Sequence, residues 1–178
     1  MIEAFHEAAL AGCAQARRAA SLLTGVEVAL SAEGLPALRV VAPAPPASGL
    51  LVSLRVAGHL PCTFALLLRE ESARGWAGRL LGHDTPPAAL GEVERSALCE
   101  LANVMGCALL GTAAERLHVT LIPEAPALRR GSLAELAGAL AGAAVVLHAE
   151  LSASARLDGT VLLLAPADEQ LPRVASGA

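Results

Sequence analysis

The sequence predicts an α+β domain made of two pseudo-symmetric halves, each a long helix followed by a strand and a β-hairpin. Three observations predict it. Apolar residues recur at helical spacing over 2–23 and again over 88–117. Shorter stretches alternate apolar and polar residues, or run apolar, between Gly and Pro punctuation, as strands do. The order of these elements then repeats: a shift of 93 residues lays Glu7 on Glu100 and Val26 on Val119, and a shift of 96 lays 64–68 (FALLL) on 160–164 (TVLLL). Element order recurring at a near-fixed offset points to a duplicated unit. The 178 residues are therefore expected to form a single domain, 1–178, with an internal repeat of about 1–85 and 86–170.

Taken in order, the first helix is ended by Gly25, and 26–30 (VEVAL) alternates as a strand. The Pro-rich stretch 42–49 is expected to be a surface loop. Strands over 50–56 and 63–69 are joined by Gly58-His-Leu-Pro61 as a hairpin, and 70–81, with the only Trp, is an amphipathic helix. Pro86 and Pro87 introduce the longest helix, over 88–117, since proline's missing N–H costs little at a helix start. A strand over 119–122, a short helix over 132–140, strands over 145–151 and 160–164, and a polar tail complete the chain.

Apolar residues make up 54% of the sequence and mean hydropathy is +0.56, which excludes a disordered chain. Aromatics are 2%, so the core must be built from Leu, Val and Ala. The longest apolar run, 139–147, falls short of the ~18 residues a membrane span needs. The first residues are acidic rather than basic, unlike a signal peptide, and a cytoplasmic protein is expected. Cys13, Cys62, Cys99 and Cys107 include no Cys-x-x-Cys pair, which argues against a zinc site. A net charge of −4 without a basic stripe argues against nucleic acid as a partner. The five histidines have no metal-ligand spacing, there is no phosphate-binding Gly-x-x-x-x-Gly-Lys loop, and Ser31 and Ser53 have no evident His or Asp partners.

Chemistry concentrates on the longest helix. At about 100° per residue, Ser96, Glu100, Asn103 and Cys107 fall within a narrow arc, while Leu98, Leu101, Ala102, Met105, Ala108, Leu109 and Thr112 form a core stripe opposite. The arc is read as free of Lys and Arg, with small or apolar flanks at Val93, Cys99, Val104 and Gly106, so Glu100 and Asn103 occupy a surface suited to contact. Asn is a mediocre residue inside a helix because its amide competes for backbone bonds. Helix geometry alone still favours an ordinary solvated face with one tolerated Asn.

The spacing changes that weighting. Ser96-x3-Glu100-x2-Asn103, with Pro126 after a further 22 residues, resembles the motif of the CheC/CheX/FliY chemotaxis phosphatases: Asp or Ser, x3, Glu, x2, Asn, x22, Pro. All four positions match, the run SALCELANVMG is similar to that family's helix, and the likeness extends over nearly the whole chain. The resemblance implies a CheC-like fold with the long helices packed on an antiparallel β-sheet. It also implies hydrolysis of the aspartyl-phosphate on a CheY-type response regulator in chemotaxis signalling.

On that reading the receiver supplies the phosphorylated Asp, its Mg²⁺ and a Lys, and this chain needs no cofactor or metal of its own. Asn103 would hold a water in line with phosphorus, Glu100 would contact the receiver's Lys, Ser96 would make a rim contact, and Pro126 would be structural. In two-site members the first helix carries a second Glu-x2-Asn, whereas the matching positions here are Glu3, Glu7 and Leu10. One intact and one degenerate site are therefore expected. Leu10 is read as facing outward beside Glu7, a face that could pack on a second copy of the chain or on CheD, between which the sequence does not choose. The rival function is a non-catalytic receiver-binding adaptor of the same fold.

Overall fold

The computed structural model describes residues 2–33, 47–140, 143–154 and 157–166. Helix α1 (Ile2–Thr24) is followed by β1 (Ala29–Glu33), the hairpin β2 (Ser48–Gly58) and β3 (Cys62–Arg69), and helix α2 (Glu70–Leu80). Helix α3 (Glu92–Leu117), β4 (Leu121–Pro123), β5 (Ala127–Ser132), helix α4 (Leu133–Gly138), and the hairpin β6 (Ala143–Ser154) and β7 (Leu157–Pro166) complete it. The α+β class expected from the sequence is the one observed. All strand pairings are antiparallel, in the order β1-β6-β7-β3-β2-β4, with β5 also paired to β2.

Alternation explains the layers. In β2, β3 and β7 one set of alternate residues (Leu50, Val52, Leu54; Phe64, Leu66, Leu68; Val161, Leu163) enters the main core with α1, α2 and α3. The other set (Leu51; Ala65; Leu162, Leu164) meets Leu133, Leu136 and Leu140 in a smaller core under α4. Successive side chains in a strand point to opposite faces. These strands therefore read as nearly continuous apolar runs because both faces are covered.

With so few aromatics, close approach replaces bulk. Helix α1 buries Ala8, Ala9, Gly12, Ala16 and Ala20 along its contact with α3. On α3, Gly106 lies against Phe64 and Leu54, where a Cβ would come within 3.1 Å of the Phe64 ring. The one Trp, Trp76, is fully buried and donates its indole N–H to the carbonyl of Asp158 at 3.2 Å. The Asp158 carboxylate also accepts from Ser72 and Arg69, so the start of β7 is fastened to α2. His6 is buried, and its Nδ1 lies 2.6 Å from the carbonyl of Val146, the extra residue of a bulge in β6. A carbonyl only accepts, so Nδ1 carries the proton. The imidazole thereby satisfies a backbone group that the bulge takes out of the ladder.

Several expected boundaries move, each for a local reason. The strand predicted over 26–30 is β1 at Ala29–Glu33, because the Val28 N–H is tied back to Ser21 Oγ at 3.0 Å as the chain leaves α1. Helix α3 starts at Glu92, not 88. Pro86 and Pro87 pack over Gly78 of α2 instead of opening the helix, and Gly91 is its N-cap. Glu92 and Glu94 then favour the positive end of the helix. At the other end His118 takes a left-handed conformation (φ 53°) and the Val119 N–H bonds to the Ala114 carbonyl at 3.0 Å, which delays β4 to Leu121. Strand β5 was not expected at all. The Pro-rich loop predicted over 42–49 lies outside the described residues as far as 46, while Ser48 and Gly49 open β2; the polar tail beyond 166 is also outside them.

Length and apolar composition alone would let α3 cross a membrane, although it holds no unbroken apolar run of that length. Its apolar residues are instead spent on the core, where Leu98, Leu101, Ala102, Met105 and Leu109 are wholly buried.

Candidate functional site

Helix α3 lies with Leu98, Leu101, Ala102, Met105 and Leu109 against the sheet and α1, as the core stripe requires. Gly106, Leu110 and Ala113 are buried beside them, whereas Ala108 and Thr112 are only half-buried. Gly106 was expected on the flank of the outward arc; its place against Phe64 moves it to the core. Ser96, Glu100 and Cys107 are exposed and Asn103 is half-buried, so the outward arc is where the periodicity put it.

The opposite wall comes from the segment after α3. Strand β2 is long enough to pair with two short strands on one edge, β4 at Val56–Gly58 and β5 at Ser48–Ser53. Between them residues 124–126 leave the edge. The Glu124 N–H donates to the Arg55 carbonyl at 2.7 Å, and Arg55 Nε donates to the Glu124 carboxylate at 3.2 Å. Further up, the Thr120 N–H donates to His59 Nδ1 and the His59 N–H to the Thr120 carbonyl, both at 2.9 Å, which fixes β4 to the hairpin tip. Proline suits position 126 because no ladder partner there asks for an N–H.

The result is an open groove of about 400 Å³, lined by Glu92, Arg95, Ser96, Cys99, Glu100 and Asn103 of α3, with Pro126 and Leu128 facing them. All four positions of the motif line this groove. Pro126, expected to be merely structural, is part of its wall. Arg95 corrects the reading of a face without basic residues. Its side chain has no ion pair or hydrogen bond among the described residues, and it sits in the groove beside Ser96. The helical wheel placed Arg95 off the arc, because it cannot know how far the facing wall extends the site.

Cys107 has no part in the motif. It stands one turn beyond Asn103, and its Sγ donates to Asn103 Oδ1 at 3.6 Å. Partial burial first, and the Glu100 carboxylate second, push its thiol above the ordinary value although the side chain reaches solvent. Cys99, within the groove, is also pushed up by burial. Cys13 and Cys62 are buried, with thiols raised to about 11 and about 12 by desolvation. No group of three His, Cys, Asp or Glu side chains among the described residues is arranged to hold a metal ion.

On α1 the counterpart positions differ. Glu3 and Glu7 are exposed, but Leu10 is half-buried and packed against the main core. It is less open than Glu7, because an apolar side chain at this turn leans on the core edge.

No family model and no curated protein matches the sequence. Solved structures do match the fold. The chain is similar to FliY from Thermotoga maritima (16% identity, TM-score 0.69, covering 88% of this chain and 85% of that one). It is similar to the chemotaxis protein CheX from Desulfovibrio desulfuricans (12%, 0.62, 89% and 99%). A third is CheX in the CheX–CheY–BeF3–Mg²⁺ complex from Borrelia burgdorferi (17%, 0.59, 89% and 95%). A CheC-like protein and the FliM middle domain also take this fold. The fold is thus the one shared by FliY, CheX and CheC-like proteins.

Proposed function

We propose that this protein is a phosphatase for the aspartyl-phosphate of a CheY-type receiver domain, acting in chemotaxis signalling in the cytoplasm. The observation that carries the reading is the meeting of Ser96, Glu100, Asn103 and Pro126 in one groove. Spacing in sequence and adjacency in space are separate facts, and they agree.

The groove suits the chemistry. Its one thiol, Cys99, is pushed toward the protonated form by burial, no metal-binding cluster occurs among the described residues, and phosphoryl transfer demands chiefly position and charge. With the receiver's Mg²⁺ and Lys neutralising the phosphoryl oxygens, the Asn103 amide holds a water in line with phosphorus. The water oxygen bonds to phosphorus, the bond to the receiver's Asp breaks, and inorganic phosphate leaves with a regenerated carboxylate. Glu100, one turn away and exposed, contacts the receiver's Lys, and Ser96 contacts the rim. The CheX of similar fold that binds CheY with BeF3 and Mg²⁺ supports a receiver as partner. The sheet order supports an origin by duplication. Exchanging β1, β2 and β3 for β4, β6 and β7 turns the order into its own reverse, as an internal two-fold would require.

The test follows decay of a phosphorylated CheY-type receiver with Mg²⁺, with wild type or Asn103→Ala added. Wild type is expected to accelerate decay and Asn103→Ala to lose the acceleration. No acceleration of any receiver from the same organism would overturn the reading. In that event the second reading, a receiver-binding adaptor, is the one left; the occurrence of this fold in a FliM–SpeE complex favours it as a binding platform. Association with CheD or with a second copy would be read in the same experiment from added CheD and from the sedimentation profile.

A further inference from the structure

We infer that Cys107 is a positioning residue for Asn103, its S–H holding the amide oxygen so that the amide nitrogen is the group turned toward the groove. The inference rests on the phosphatase reading for its consequence, but on the groove's own geometry for its content. A primary amide has an acceptor end and a donor end of nearly equal shape, and a half-turn about its last torsion exchanges them. For an Asn that must hold a water, that half-turn changes the task. One orientation offers an N–H to the water oxygen, and the other offers a carbonyl to a water hydrogen.

Among the described residues the Cys107 thiol is the sole hydrogen-bonding partner of the Asn103 side chain, at 3.6 Å. A thiol that keeps its proton can only donate to this contact with good effect, so it selects Oδ1. Burial and the nearby Glu100 carboxylate both keep Cys107 protonated at neutral pH. Residues i and i+4 on a helix are neighbours on one face, which makes the contact a property of a rigid element. With Oδ1 engaged, Nδ2 is left to the groove. An N–H then fixes the water oxygen while a remaining lone pair faces phosphorus. The same bond keeps the amide from turning to the backbone carbonyls, the usual distraction for Asn within a helix.

The experiment compares Cys107→Ala, Cys107→Val and Cys107→Ser in the full chain, with melting temperature as a check that each folds. Cys107 is exposed, so truncation leaves no cavity. With a phosphorylated CheY-type receiver and Mg²⁺, Ala and Val are expected to lower kcat about fivefold at unchanged KM, because S–H is a weak donor whose loss loosens the amide without removing it. Ser, which restores a donor, should return kcat to within about twofold of wild type. A second readout needs no activity: the NMR order parameter of the Asn103 side-chain amide should fall in Ala and Val and hold in Ser.

An active wild type whose Cys107→Ala variant keeps full kcat would overturn the proposal alone. An equally rigid Asn103 amide in Cys107→Ala would do the same. A wild type that leaves receiver phosphate untouched would overturn the phosphatase reading, and the order parameter would then decide by itself whether Cys107 fixes the amide.

Discussion

A Cβ placed on Gly12 of α1 would stand 2.5 Å from the carbonyl oxygen of Leu109 on α3. Backbone meets backbone there, and neither can swing aside as a side-chain end could. Gly12→Ala should therefore destabilise the protein even though Ala is better than Gly in a helix by about 1 kcal/mol. Overpacking of this kind costs about 1–3 kcal/mol, so a net loss is expected, seen as a lower urea midpoint. A raised midpoint would mean that the two helices part without cost.

Arg95 is the basic residue of a groove whose other charged side chains are Glu92 and Glu100. Arg95→Glu should raise KM for a phosphorylated receiver about tenfold at low salt and less at high salt, because exposed charges act on encounter and are screened. The kcat should stay within about twofold, since Asn103, the residue proposed to hold the water, is elsewhere on the helix. Initial rates at two ionic strengths check it. A fall in kcat instead would put Arg95 at the reacting phosphoryl group.

The Asp158 carboxyl is pushed up by partial burial, but the hydroxyl of Ser72 and the guanidinium of Arg69 outweigh this and hold it below the usual range. A depressed carboxyl stabilises the fold above its unfolded value of about 3.9, and that contribution is lost as pH falls below it. Urea midpoints at pH 7 and pH 3 should show the acid loss to be smaller in Asp158→Asn than in wild type. Equal losses would mean that other carboxylates, such as Glu70, held low chiefly by bonds from Ser48 and Arg130, dominate.

His6→Leu should cost about 1–3 kcal/mol, the penalty for a buried carbonyl left without its donor. The side chains are close in size, so the loss is expected from the bond to Val146 rather than from packing. Denaturant unfolding reads it directly, and an unchanged midpoint would show that another donor takes the bulge carbonyl.

Long periodic elements were legible in the sequence because their burial is one-sided or continuous. The α3 stripe and both hairpins follow from apolar spacing alone. Strand β5 (ALRRGS) was not, because on the sheet edge its Arg129 and Arg130 point to solvent and its Gly-Ser end looks like a turn. Arg130 instead bonds Glu70 at 2.5 Å, so half of the apparent surface doublet is a tie between β5 and α2. The site was half legible. Glu100 and Asn103 lie on one helix and share its period, whereas Arg95 belongs to the groove only because Pro126 and Leu128 widen it from another segment. No helical wheel carries that information. That Leu10 leans on the core is likewise a property of the assembled layers.

The strand order has a consequence for synthesis. Among the described residues β1, from the first 33, pairs with β6 alone, and β3 takes its second neighbour from β7, while β4 from beyond residue 120 lies on β2. Each half thus lends its first strand to the other half's hairpin. The β2 edge can close once residues to 132 have left the ribosome, but the β1 edge must wait for β6, and pairings of such long sequence separation form slowly. Neither half is therefore expected to stay folded as a fragment. The groove that holds Asn103 is built within one half, from residues 92–128, on a sheet that both halves complete.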